Sequence, residues 1–228
     1  MSRADAILFD LDGTLLDTAS DMIGALNRLR VAEGFEVLRP AELREHVSHG
    51  AMRLVSVGFP DAAGEHFERL RLRFLELYAA NLADGTCLFP GLESVLAQLD
   101  ADGLPWGIVT NKPGWLTDPL LARLDLAHRA CCVVSGDTVA ERKPHPLPLL
   151  HAARLSGVAA ERCVYVGDAE RDIVAGRAAG MQTVVAGYGY LGPQDDPRDW
   201  NPHGIVTSPT ELLDWIILRH LDEGHASC

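Results

Sequence analysis

The apolar residues of the chain follow two patterns, short unbroken runs and stripes with helical spacing. Between most of the runs, apolar side chains recur every three or four residues, as at Leu92, Val95 and Leu99, which predicts helices. The runs end in polar or glycine-containing breaks and predict buried strands at residues 6–9, 106–109, 131–134, 164–166, 183–186 and 205–206. This alternation predicts an α/β fold, a doubly wound (Rossmann-like) parallel sheet with helices on both faces.

The segment from residue 17 to residue 84 interrupts the alternation. It carries no convincing strand pattern but two helical stripes, formed by Met22, Ile23, Leu26 and Leu29 and by Phe67, Leu70, Phe74, Tyr78 and Leu82. We interpret this segment as a helical cap inserted after the first strand, so that residues 1–16 and 85–228 form the core and residues 17–84 the cap. The alternative is that these helices cover one edge of the sheet.

Composition and charge exclude several classes of protein. A formal net charge of -12 argues against general binding to nucleic acid or to an anionic membrane, because both require a basic face. Five cysteines, an odd number without a C-x-x-C pair, indicate free thiols rather than disulfides or a zinc site. The apolar stretch at residues 6–9 is too short for a signal peptide or a membrane span. We therefore expect a cytoplasmic protein in which any anionic ligand is held by local positive charge.

Polar side chains follow the predicted strands at the points where chemistry is expected. In an open parallel sheet, ligands bind beyond the carboxyl ends of the strands. The side chains that follow successive strands are Asp10 and Asp12, Thr110 and Asn111, Lys143, and Asp168. Because these strand ends share one edge of the sheet, the sequence predicts that the side chains meet there.

Asp10 and Asp12 are two positions apart, so in an extended chain both side chains leave the same side of the backbone. One carboxylate can attack phosphorus while its neighbour protonates the leaving oxygen and then activates water. Gly13 permits a tight turn whose N–H groups can hold phosphate oxygens. Taken alone, Asp12-Gly13 is equally compatible with an ordinary turn.

The other candidates each have a functional and a structural interpretation. Asp168 together with Asp10 offers the oxygen ligands that magnesium prefers, with Asp172 one helical turn further on; Asp168 alone is also a common helix N-cap. Lys143 can supply the fixed cation that phosphoryl transfer needs, or it can be a solvated loop residue. The Thr110 hydroxyl can bind phosphate or cap the next helix.

With these residues in this order, the chain resembles the haloacid dehalogenase superfamily over essentially its whole length. The resemblance rests on D-x-D-G-T at residues 10–14, a threonine after an apolar strand, a Lys-Pro pair at residues 143–144, and G-D-x-x-x-D at residues 167–172. It implies that Asp10 is the nucleophile and Asp12 the general acid and base. It also implies that Thr110 and Lys143 bind the transferred phosphoryl group.

The same resemblance implies a cofactor, Mg²⁺. The implied ligands are the Asp10 carboxylate, the Asp12 main-chain carbonyl and Asp168, with Asp172 in support. It also places Gly13, Thr14 and Asn111 among the substrate-binding residues. The dehalogenases themselves resemble the chain less, since they lack the second aspartate of the first motif, and a phosphatase is therefore expected.

Within the superfamily, the chain looks most like the phosphoglycolate phosphatases, at residues 47–50, 110–113, 143–146 and 188–190. The tail around Trp200 also resembles relatives that act on N-acetylmuramic acid 6-phosphate. Because the cap shapes the pocket in this family, His49 and Arg53 become candidates for contacting substrate, and Arg53 could pair with a substrate carboxylate. Alternatively, His49 only caps a helix and Arg53 lies in solvent.

The expected reaction is magnesium-dependent hydrolysis of a small phosphate monoester, most simply 2-phosphoglycolate, through an aspartyl-phosphate on Asp10. The alternatives are a phosphatase for N-acetylmuramic acid 6-phosphate, a phosphomutase of the same fold, and a non-enzymatic phospho-aspartate receiver. A receiver is shorter, lacks a cap and does not need Asp12. The expected partner is a small phosphorylated metabolite, and the expected assembly is a monomer or a homodimer.

Overall fold

A computed structural model describes the backbone of residues 4–224 and the side chains of residues 4–216. The strands are β1 (Ala6–Phe9), β2 (Leu16–Asp17), β3 (Cys87–Leu88), β4 (Trp106–Val109), β5 (Val133–Val134), β6 (Cys163–Gly167), β7 (Gln182–Ala186) and β8 (Gly204–Val206). The α-helices are α1 (Ala19–Ala32), α2 (Pro40–Leu43), α3 (Gly50–Gly58), α4 (Gly64–Ala79), α5 (Leu92–Ala101), α6 (Gly114–Arg123), α7 (Leu147–Ser156), α8 (Glu170–Ala178) and α9 (Pro209–Gly224).

Six strands form a parallel sheet in the order β5-β4-β1-β6-β7-β8. Ile7 of β1 pairs with Trp106 of β4 on one side and with Val164 of β6 on the other. The order of the strands reverses at β1, and ligands of open α/β sheets bind at such a point. The topology therefore brings the ends of β1, β4 and β6 together, which are the strands followed by Asp10, Thr110 and Asp168.

Both faces of the sheet are buried, which explains why its strands read as unbroken apolar runs. Ile7 and Phe9 belong to one hydrophobic cluster, with residues of α5, α6 and α9, whereas Ala6 and Leu8 belong to a second, with residues of α7 and α8. The predicted doubly wound α/β fold is confirmed. No helix in the described part of the chain is long and apolar enough to cross a membrane.

The third predicted strand is shorter than the sequence pattern suggested. The apolar run begins at residue 131, but β5 begins at Val133. The backbone of Cys131 and Cys132 still forms hydrogen bonds with the backbone of Trp106 and Ile108 in β4. β5 lies at the edge of the sheet, where only one neighbour constrains it, and Cys131 is exposed. The described cysteines are free thiols, and Cys228 lies outside the described residues.

The helices of residues 19–79 pack against one another, with α1 in contact with α3 and α4. Their shared interior includes the predicted stripe residues Leu26, Leu29 and Phe74, all fully buried. The chain enters this segment through β2 and leaves it through β3, and the two strands pair antiparallel, with Leu16 opposite Leu88. The entry and exit connections thus run side by side. The division into a core and a cap with a boundary at residues 17 and 84 stays a prediction.

Asp21, in the first turn of α1 just after β2, forms hydrogen bonds with the residues just before β3. Its buried carboxylate accepts hydrogen bonds from the Gly85 N–H at 2.8 Å, the Thr86 N–H at 3.0 Å and the Thr86 hydroxyl at 2.6 Å. The three donors lose their partner when this carboxylate is removed.

We expect Asp21→Ala to lower the free energy of unfolding by about 2–4 kcal/mol, because three donors lose a charged acceptor in a buried site. Urea denaturation of both proteins measures the difference. Asp61→Ala, at an exposed position ahead of α4, is the matched control and should change the value by less than about 0.5 kcal/mol. Equal stability of Asp21→Ala and the parent protein would contradict this assignment.

Candidate active site

A cavity of about 650 Å³ opens at the carboxyl ends of the central strands. Its walls come from both the sheet and the helical segment. The predicted site residues that line it are Asp10, Asp12, His49, Thr110, Asn111 and Lys143. The sheet edge therefore brings most of the predicted residues to one cavity, as the strand topology requires.

Three buried carboxylates form a cluster that includes Asp10, which lines the cavity. One carboxylate oxygen from each of Asp10, Asp168 and Asp172 lies within 4.8 Å of the others. The Ala169 N–H donates to Asp172 at 3.1 Å, which orients that side chain. Helix α8 takes Ala169 rather than Asp168 as its N-cap, so the interpretation of Asp168 as only a capping residue is wrong.

The electrostatics of this cluster suit a cation. Burial raises the pKa of Asp10 to about 6, with the Lys143 ammonium opposing the rise and Asp172 adding to it. Burial also raises the pKa of Asp168 to about 7, and the charges of Asp10 and Asp172 add to it. Carboxylate oxygens are the ligands that hard divalent cations take, and a bound cation would offset the charge that burial disfavours. The three residues therefore fit a divalent metal ion.

Lys143 contacts two carboxylates of the cluster, and its side chain is fully buried. Its ammonium is 2.7 Å from Asp10, 2.8 Å from Asp172 and 2.8 Å from the Tyr165 hydroxyl. It also donates to the Val109 carbonyl at 2.9 Å. A lysine buried among these partners is a fixed cation, so its interpretation as a solvated loop residue is wrong.

Asn111 lines the cavity, but its amide group holds the backbone of Lys143. The side-chain oxygen accepts from the Lys143 N–H at 3.0 Å, and the side-chain nitrogen donates to the Lys143 carbonyl at 2.9 Å. Thr110 is buried, and its hydroxyl oxygen accepts from the Lys112 N–H at 3.1 Å. Since α6 takes Pro113 as its N-cap, Thr110 does not cap that helix.

Asp12 has a different set of partners from Asp10, although both line the same cavity. The Lys112 ammonium lies 2.8 Å and 3.0 Å from its two carboxylate oxygens, and the Thr18 hydroxyl donates at 2.7 Å. Burial lowers the pKa of Lys112, but the Asp12 carboxylate outweighs this effect and holds the pKa above its ordinary value. Asp10 and Asp12 are therefore each paired with a different lysine.

Gly13 and Thr14 pack against Asp168 rather than line the cavity. Gly13 has φ +89°, and a Cβ atom at this position would overlap with the Asp168 carboxylate and lie 2.8 Å from the Ser48 hydroxyl. The Thr14 hydroxyl, fully buried, is 3.5 Å from the other Asp168 oxygen. Glycine is needed here both for the backbone conformation and for the close approach of Asp168.

The two predicted residues of the helical segment have different positions. His49 lines the cavity, and its Nδ1 lies 3.2 Å from the Arg171 guanidinium. Burial lowers the pKa of His49, and the Arg171 charge lowers it further. Arg53 is exposed on α3 and does not line the cavity. The structure therefore brings His49 to the site but not Arg53.

Sequence reasoning did not single out four residues that the structure brings to the site. Ser48 donates to Asp168, and Arg171 donates to the Ser48 carbonyl at 2.6 Å, so the loop before α3 bonds directly to the acidic cluster. Lys112 partners Asp12, and Tyr78 lies beside them in the cavity wall. Ser48 and Lys112 lie within family-like segments and Arg171 between Asp168 and Asp172, which is the signal that could have marked them.

Known proteins match this chain over nearly all of its length. The family model described as haloacid dehalogenase-like hydrolase matches residues 7–186. A phosphoglycolate phosphatase of Xanthomonas campestris pv. campestris (strain 8004) is 47% identical over 207 residues, 91% of this chain and 94% of that protein. An N-acetylmuramic acid 6-phosphate phosphatase of Pseudomonas aeruginosa is 39% identical over 213 residues, 93% of this chain and 94% of that protein.

A solved structure agrees with these matches. The crystal structure of a predicted phosphoglycolate phosphatase from Haemophilus somnus 129PT superposes with a TM-score of 0.83 at 25% identity, covering 94% of this chain and 98% of that one. The chain belongs to the haloacid dehalogenase-like hydrolases. Within that family its near relatives are phosphatases, which confirms the expected enzyme class.

Divalent cations should stabilise the protein more at high pH than at low pH. Because folding raises the pKa of Asp10 and Asp168 from their ordinary values to about 6 and about 7, the folded chain holds protons that the unfolded chain has released. These two groups therefore lower the stability of the metal-free protein as pH rises from about 4 to about 7. A cation must displace the same protons, and its binding should weaken below about pH 6.

We expect MgCl₂ to raise the melting temperature clearly at about pH 8 and much less at about pH 5, as measured by thermal unfolding. Asp168→Asn removes one of the carboxylates with a raised pKa, so MgCl₂ should change the melting temperature of this variant only slightly at both pH values. Equal shifts in the parent protein at both pH values would contradict the assignment of these carboxylates as cation ligands.

Proposed function

We propose that this protein is a Mg²⁺-dependent phosphatase that hydrolyses 2-phosphoglycolate through an aspartyl-phosphate on Asp10. The observation that carries the proposal is the division of the aspartate pair: Asp10 lies in the buried acidic cluster with Lys143, and Asp12 lies outside it with Lys112 and Thr18. Two carboxylates in different surroundings can take the different roles of nucleophile and proton donor.

In the first step, a carboxylate oxygen of Asp10 forms a bond to phosphorus as the bond to the leaving oxygen breaks. Asp12 gives its proton to that oxygen, and the alcohol departs. In the second step, Asp12 takes a proton from water, which attacks phosphorus and releases inorganic phosphate from Asp10. Both aspartates end in their starting protonation states. A phosphomutase would instead pass the phosphoryl group to a sugar hydroxyl.

The acidic cluster and Lys143 support this chemistry electrostatically. Asp10, Asp168 and Asp172 would hold Mg²⁺, with the Asp12 main-chain carbonyl as the further ligand that the family resemblance implies. The ion would neutralise charge on the phosphoryl oxygens. Lys143, already fixed against Asp10, would bring a second positive charge to the same oxygens. Thr110, buried directly after β4, is proposed to bind the transferred phosphoryl group through its hydroxyl.

The choice of 2-phosphoglycolate is supported by several relatives that carry this name at 37–47% identity. A specific observation favours a second candidate, N-acetylmuramic acid 6-phosphate. The cavity of about 650 Å³ exceeds what a two-carbon acid needs, and its wall includes the exposed apolar side chains of Met52, Leu72 and Trp115. Apolar surface of this kind suits the body of a sugar.

For either substrate, the free cysteines are consistent with our proposal of a cytoplasmic location.

Asp10→Asn should reduce kcat for any phosphate ester by at least about 10³-fold, because the nucleophile is lost while the shape of the side chain is kept. Steady-state phosphate release measures the loss, and far-UV circular dichroism checks the fold. Asp137→Asn alters an exposed acid of the same cavity wall, which accepts from the Gly114 N–H at 2.8 Å, and should retain activity within a few-fold. Normal turnover by Asp10→Asn would overturn the mechanism.

A panel of 2-phosphoglycolate, N-acetylmuramic acid 6-phosphate and common sugar phosphates tests the choice of substrate. We expect kcat/KM for 2-phosphoglycolate to exceed the others by at least about 100-fold, or about 2.7 kcal/mol in transition-state binding. The reverse preference would assign the second candidate. Conversion of a sugar phosphate to an isomer without release of phosphate would establish a mutase instead.

A further inference from the structure

The Tyr78 hydroxyl is buried and makes no hydrogen bond of normal geometry, although the Lys112 ammonium lies close to it. Among the side-chain nitrogen and oxygen atoms of the described residues, it alone is buried and lacks a hydrogen bond of normal geometry. Tyr78 is 1% exposed, lies near the end of α4 and lines the active-site cavity. A buried polar group without a partner costs free energy, and such groups in a binding site commonly find their partner in the ligand.

Lys112 lies beside Tyr78 and is the cation nearest to the proposed proton donor. Its ammonium is 4.7 Å from the centre of the Tyr78 ring and makes hydrogen bonds to both oxygens of Asp12. The ammonium has three N–H donors, so two bonds to Asp12 leave capacity for another acceptor.

We propose that Lys112 and Tyr78 form a subsite for a substrate carboxylate attached to the carbon that bears the phosphate. This inference rests on the proposed function. It assigns the substrate class as phosphate esters of 2-hydroxy carboxylic acids, of which 2-phosphoglycolate is the smallest. The subsite replaces Arg53, which the sequence offered for this role and which is exposed and outside the cavity lining.

The geometry limits which carboxylates can reach the subsite. To donate its proton, Asp12 must come within about 2.6–3.2 Å of the leaving oxygen. Lys112 is 2.8 Å and 3.0 Å from the oxygens of Asp12, so it lies no more than about 6 Å from the leaving oxygen. A carboxylate two bonds from that oxygen falls within this reach. In N-acetylmuramic acid 6-phosphate the carboxylate is separated from the leaving oxygen by many more bonds, so the ester linkage does not hold it beside Lys112.

The test compares 2-phosphoglycolate with ethyl phosphate, which has the same carbon chain without the carboxylate. The measured quantity is the ratio of the two kcat/KM values, because any general damage to Asp12 or to the fold affects both substrates. We expect Tyr78→Phe, which removes only the unpartnered hydroxyl, to lower the ratio about tenfold. Lys112→Met, which removes the charge, should lower it by at least about 100-fold.

Arg71→Gln is the matched control, since Arg71 is another cation in the cavity wall, where it pairs with Glu68 at 2.5 Å. Its ratio should stay within about twofold of the parent ratio; a loss as large as that of Lys112→Met would overturn the subsite in favour of a general positive field. If the parent enzyme prefers 2-phosphoglycolate but both Tyr78→Phe and Lys112→Met keep that preference, the subsite is overturned while the proposed function stands. If the parent enzyme shows no preference, both the subsite and the proposed substrate are overturned.

Discussion

The burial of three carboxylates together, two of them against one lysine, is the constraint on which the active site depends. Asp10, Asp168 and Asp172 come from the ends of β1 and β6 and the start of α8, and Lys143 contacts two of them. Burial raises the pKa values of Asp10 and Asp168, and the like charges of the cluster add to the rise. The folded chain therefore offers a place where a divalent cation is favourable before any substrate binds.

Much of the surrounding structure serves to maintain this arrangement. Asn111 fixes the Lys143 backbone through two hydrogen bonds, and Gly13 leaves room for the Asp168 carboxylate where any other residue would overlap with it. Tyr165, at the centre of β6, adds a hydroxyl that contacts Lys143. Residues from several strands and their ends therefore hold Lys143 and the buried carboxylates in place.

The helical segment also contributes side chains to this site. Ser48 and Arg171 connect the loop before α3 to the acidic cluster, while Tyr78 of α4 meets Lys112 near Asp12. The cavity wall around Asp12 is therefore built by both parts of the chain. The core supplies the groups proposed to act on phosphorus, and the helical segment contributes contacts that can distinguish one phosphate ester from another.

The sequence by itself determined the sheet and the positions of Asp10, Thr110, Lys143 and Asp168 at its edge, because buried parallel strands have a distinctive apolar pattern and their carboxyl ends must meet. It also indicated His49. It did not identify Lys112 or Tyr78, since Tyr78 fits a helical core stripe, and it gave Arg53 a role that its exposed position does not support. Only the placement of α4, which brings Tyr78 against Lys112, decided that these two side chains meet at the cavity. Local patterns specify elements and their ends, but contacts between distant elements depend on how those elements dock.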